Sequence, residues 1–139
     1  MGASGLSAVD LFWQRCDGPL VYGVNDCCMT LADVILAAGG PDLMEPYRGR
    51  YKTRLGFVRA FRKAGHGTLT DAATAMLEVY GMPADAPRDF DVAVVTYLDN
   101  GERATSPAFF HGGFWMLRSE RGAVCSKGAP EKIWRVINA

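Results

Sequence analysis

Histidine is scarce in this chain: two residues, His66 and His111, among 139. Any chemistry that needs an imidazole therefore has two candidates. An excess of charge is missing too, since 15 Lys and Arg balance 15 Asp and Glu. A general nucleic-acid binder needs surplus cations to displace counterions from phosphates, so that class is disfavoured and no nucleic-acid partner is expected. No apolar run approaches the roughly 20 residues that span a bilayer. The longest, residues 31–38, is interrupted by Asp33 and stopped by Gly39-Gly40-Pro41. The first ten residues carry neither a basic n-region nor an apolar h-region, so neither a leader nor a membrane partner is expected. The protein is expected to be cytoplasmic when made.

Four cysteines, Cys16, Cys27, Cys28 and Cys125, are too few and too unevenly spaced for a secreted disulfide scaffold. They also lack the paired spacing of a zinc site. No metal and no cofactor are expected, and the cysteines read as reduced thiols.

What is present is an ordinary globular composition, 49% hydrophobic and 22% charged. The length fits a single domain over residues 1–139. Its apolar spacing is helical over about residues 6–81 and strand-like over about 88–137. Ser7 with Asp10 reads as a helix start, Asp26 as the N-cap of a second helix, and Thr53 as that of a third. Thr70 or Asp71 opens a fourth helix ending near Tyr80. Strands are expected at residues 91–98, 109–117, 122–126 and 133–137, with Asp99-Asn100-Gly101 as a turn. The fold class is α+β: N-terminal helices packed on a small antiparallel sheet of about four or more strands.

The stretch Tyr22-Gly23-Val24-Asn25-Asp26-Cys27-Cys28 delivers a cysteine to the first turn of a helix. Unpaired N–H groups and the positive helix end favour a thiolate there. A nucleophilic thiolate needs a base within hydrogen-bond reach. His111, expected at the head of a strand, is the better candidate, because a strand aims its side chain at a face on which the helix must pack. His66, between Gly65 and Gly67, reads as a solvated loop residue. Buried packing is the competing reading for Cys27 and the default for Cys16 and Cys125.

Tyr22-Gly23…Asp26-Cys27, then Asp91-Val92-Ala93-Val94-Val95, then His111-Gly112-Gly113-Phe114 resembles the NlpC-like peptidases, papain-like cysteine hydrolases of bacterial cell walls. Asn25-Asp26-Cys27, Tyr47-Arg48-Gly49-Arg50-Tyr51 and Ile133-Trp134-Arg135-Val136 are similar to small phage and prophage tail-assembly members of that group. The resemblance implies a papain-like fold and cleavage of a peptide amide in peptidoglycan, with virion or tail association and tail proteins as partners. It implies Cys27 as nucleophile and His111 as base, with Asp26 and Tyr22 supporting the loop and the oxyanion site. The chain departs from the pattern at Leu20, at Phe90, and at Cys28-Met29, where Ser-Gly is usual. The third polar residue falls where only Ser126 is polar. That departure supports an alternative, a catalytically weak or inactive tail-assembly protein that uses the fold to bind other proteins.

Residues 48–63 hold seven cations and no acid. Tyr47, Arg48, Arg50 and Trp115 are candidate substrate contacts, since arginines bind carboxylates and aromatics stack on sugars. A solvated helix face is the competing reading.

Overall fold

The computed structural model describes residues 7–137; the stretch through Leu6, on which part of the leader reading rests, lies outside them. Four helices precede a sheet: α1 (Ala8–Asp17), α2 (Cys27–Ala37), α3 (Arg54–Lys63) and α4 (Leu69–Tyr80). Six strands follow: β1 (Met82–Ala84), β2 (Val92–Asp99), β3 (Glu102–His111), β4 (Phe114–Ser119), β5 (Gly122–Ser126) and β6 (Ile133–Arg135). They form one antiparallel sheet in the order β1-β6-β2-β3-β4-β5. Among the described residues no helix is long and apolar enough to cross a membrane.

Each helix starts at an oxygen-bearing side chain that takes up an otherwise unpaired N–H. Ser7, Asp26, Thr53 and Thr68 are those caps. The cap of α4 lies two residues before the earlier of the two expected starts. Helix α2 is apolar nearly all round, with Cys28 through Ala32, Val34 and Ile35 buried, so it runs through the core rather than along it. It packs against α1 on one side and against β3 and β4 on the other. Phe12 of α1 meets Phe109 of β3 edge to face, with ring centroids 5.1 Å apart. The opposite face of the sheet carries a smaller apolar cluster around Trp115, Val95 and Leu117.

The β2–β3 hairpin pairs Val92 with Phe109 through to Asp99 with Glu102. It closes through Asn100 and Gly101, both at positive φ, as an Asn-Gly pair favours. The β3–β4 ladder is much shorter and stops at Phe109↔Met116. Phe110 N–H donates toward β2, to the Asp91 carbonyl, so odd-numbered residues of β3 point their N–H toward β4. One rung past Phe109 in that direction stands Pro107, which has no N–H to donate. Beyond it β3 and β4 part, and the cleft described next opens between them.

Candidate functional site

The cleft has a volume of about 440 Å³ and is bounded by the loop before α2, by α3, and by the parted ends of β3 and β4. Cys27, Tyr22, Phe57, His66, Tyr97, Thr105 and Arg118 are among its lining residues. Cys27 is the first residue of α2 and half-buried.

The loop that carries Cys27 is held from several directions. Val21 and Asn25 exchange backbone hydrogen bonds of 3.1 and 2.7 Å, closing a tight turn around Tyr22-Gly23-Val24. Gly23 has φ +87°, and a Cβ there would run into the Tyr51 carbonyl, so only glycine fits. The Asn25 amide donates to the carbonyls of Arg15 (2.9 Å) and Pro19 (3.1 Å), and its oxygen accepts from Thr30 Oγ1 at 2.9 Å. Asp26, 1% exposed, is the hub. Its Oδ1 accepts from the N–H groups of Cys28 (3.0 Å) and Met29 (2.9 Å). Its Oδ2 accepts from Gly23 N–H (2.8 Å) and from the Tyr51 hydroxyl (2.6 Å). Burial, and then this bond to Asp26, push the Tyr51 hydroxyl well above the usual tyrosine range.

The two adjacent thiols differ. Their Sγ atoms are 3.9 Å apart, and Cys28 is buried. The hydrogen bond to Cys27, followed by burial, pushes the Cys28 thiol well above its ordinary value. Cys28 therefore stays protonated. Cys16 is pushed up by burial to about 11, partly opposed by the Arg118 charge. Cys125 is exposed. Since the thiolate is the reactive form, iodoacetamide near neutral pH is expected to label Cys27 and Cys125 in the folded protein. Cys16 is expected to stay unlabelled near neutral pH and to react in the folded protein only at alkaline pH, and Cys28 is expected to react only after unfolding. Intact-mass and peptide mapping read this out, and fast labelling of Cys28 in the native state would contradict it.

His111 is not in this cleft. The residues Gly112 and Gly113, at φ +60° and +89°, form a two-residue turn joining β3 to β4, with His111 paired to Phe114 across it. His111 thus ends one strand instead of heading the next, which corrects the expected strand over 109–117. Cys27 packs near Pro107, with which it shares the walls of a small internal void. His111 stands at the Val92–Phe109 end of the β2–β3 hairpin, whereas the cleft is lined at the opposite end by Tyr97, Asp99, Ala104 and Thr105. Its Nε2 stands 3.8 Å from Asp89 Oδ2, and its ring lies 5.7 Å from that of Phe90. The expected Cys27–His111 dyad is not assembled. His66, set aside in the sequence as a loop residue, is the histidine that lines the cleft beside Cys27.

The remaining candidates divide in the same way. Tyr22 lines the cleft, with its ring 6.1 Å from that of Phe57. Ser126 pairs with Trp115 on the outer strand and accepts from Gly128 N–H at 3.1 Å, away from Cys27. Trp115 is buried in the cluster on the face of the sheet opposite the helices. Arg48 is locked between Asp33 and Asp42, each at 2.7 Å, and serves to tie α2 to the following loop. Tyr47 and Arg50 line a separate groove outside α3. Sequence reasoning missed Tyr51, which it placed only in the basic-aromatic run, and Arg118. The signal for Arg118 was its alternation with Met116 in a strand, which aims both at the helices. Among the described residues no three His, Cys, Asp or Glu side chains gather as a metal ligand set.

No curated protein and no solved structure matches the chain. Residues 9–136 match the family described as a domain of unknown function (DUF6950), and the chain belongs to that family.

Proposed function

We propose that this chain is an NlpC-like, papain-like cleft protein of phage-tail assembly that binds an extended polypeptide segment against Cys27 without hydrolysing it. One observation carries the reading: His111 stands at the β3–β4 turn, outside the cleft that Cys27 lines, and makes no hydrogen bond to Cys27 such as a general base would need. The cleft itself is intact, with the thiol at a rigid helix start and aromatic residues Tyr22, Phe57 and Tyr97 along its walls. Such a concave, largely apolar site with a few polar groups suits ligand binding in the absence of turnover.

Two measurements on the Cys125→Ser protein test it. Peptides selected from a random library are expected to bind, and a bulky maleimide on Cys27 is expected to block them. Incubation with peptidoglycan sacculi is expected to release no more free amine than the Cys27→Ala variant does. Library peptides indifferent to the maleimide would overturn cleft binding, and Cys27-dependent amine release would overturn the non-hydrolytic reading.

A second reading is favoured by His66, the imidazole on the cleft. In it Cys27 attacks a cell-wall peptide amide with His66 as base. It requires that His66→Ala abolish amine release and that His111→Ala leave it unchanged.

A further inference from the structure

Helix α3 has two working faces. Arg54, Phe57, Val58 and Phe61 recur at helical spacing and border the cleft, with Phe57 and Phe61 buried. Offset by two residues, about 200° round the helix, come Gly56, Arg59, Ala60 and Lys63. These, with Pro46, Tyr47 and Arg50 from the preceding loop, line a second groove of about 600 Å³. Its floor is apolar, from Pro46, Ala60 and the ring of Tyr47, which stands edge-on to Phe61 at 5.0 Å. Three cations, Arg50, Arg59 and Lys63, converge on it.

Charge here is one-sided. Of the seven cations in residues 48–63, Arg48 is neutralised by Asp33 and Asp42. Among the described residues the other six make no ion pair. Glu45, the nearest acid in sequence, is not paired with them either. The whole chain is neutral, so this local excess is offset elsewhere on the molecule. Favourable interaction with the helix C-terminus accounts for Arg62 and Lys63 in the last turn. It does not account for Arg50 and Arg59 meeting Lys63 at one apolar-floored groove.

We propose that this groove docks an acidic polypeptide segment of a partner protein, carboxylates on the three cations and an apolar side chain on the floor between them. Complementary charge sets the partner and its approach, and arginine offers carboxylates paired donors. A phosphate backbone would use the cations but leave the apolar floor unfilled. The site is on the far side of α3 from the cleft, so it stands whatever the cleft binds.

The test uses the full chain and a fluorescein-labelled peptide of alternating Glu and Leu, with Gln replacing Glu in its control. Anisotropy is expected to show binding of the Glu peptide, weakening as salt rises, and none of the Gln peptide. Arg59→Glu with Lys63→Glu, both exposed and free to vary without disturbing the core, is expected to weaken binding by roughly a hundredfold, taking about tenfold for each reversed charge. Arg103→Glu on β3 is expected to change nothing, and thermal melts confirm that all variants fold. Equal binding of the Gln peptide would overturn the proposal. So would indifference to the double reversal, or tighter binding of a single-stranded oligonucleotide of equal charge.

Discussion

Replacing Asp26 by Ala is expected to remove about 3–5 kcal/mol of stability, the range for stripping one partner from a buried charged network. Four donors point at this carboxylate: the N–H groups of Gly23, Cys28 and Met29, and the Tyr51 hydroxyl. Alanine leaves all four facing protein, and each unsatisfied buried donor costs free energy. In a domain of this size the melting temperature should fall by roughly 10–20 °C. Tyr51→Phe removes only one of the four donors and is expected to cost about 1.5–3 kcal/mol. It carries a distinguishing pH signature. The Tyr51 hydroxyl is raised above its unfolded value of 10.0, so the folded state holds the proton more tightly. The stabilisation is complete below that unfolded value and is lost as pH rises past it. Wild-type protein should therefore weaken above about pH 10, and Tyr51→Phe should show a smaller alkaline loss. An Asp26→Ala protein within about 1 kcal/mol of wild type would refute the hub role.

The same residue shows what the sequence exposes well. Asp26 was legible as an N-cap because capping is local: a short oxygen-bearing side chain, an extended backbone, then an apolar helix. Ser7 and Thr53 were legible for the same reason, as was the Asn100-Gly101 turn. Tyr51 was not, because its partner is 25 positions away and nothing local aims a tyrosine at a carboxylate. His111 failed differently. The dipeptide Gly112-Gly113 carries a hairpin signal as strong as Asn-Gly, and it divides the strand expected over 109–117. The expected strand has the imidazole at its head, whereas two positive-φ glycines place it at a strand end. Strand β1 went unread because three residues containing Pro83 offer no alternation. The cleft could not be read at all. It depends on Pro107 falling in the register that faces β4, and register is a property of the assembled sheet.

Arg118 carries the other large effect. It is 2% exposed, projects from β4 toward the helices, and has no carboxylate partner among the described residues. Its guanidinium donates to the carbonyl of Arg15 and, at 2.9 Å, to that of Gly18, at the C-terminal end of α1. Its Nε has no partner. The negative end of α1 is thus what the buried charge answers to, and the arginine joins α1 to the sheet beside Cys27. Arg118→Met leaves the Gly18 carbonyl without this donor and is expected to cost about 2–4 kcal/mol in a denaturant titration. Arg118→Lys should recover little, because one ammonium does not reproduce a fork that reaches two carbonyls. Cys16 supplies an independent readout. Burial raises its thiol to about 11 and the Arg118 charge holds it down. Removing that charge should therefore carry the alkaline onset of Cys16 alkylation to higher pH in the Met variant and leave it nearly unmoved in the Lys variant. A Lys variant as stable as wild type would show that charge alone suffices. An unmoved Cys16 onset in the Met variant would show that the guanidinium does not act on this end of α1 through its charge.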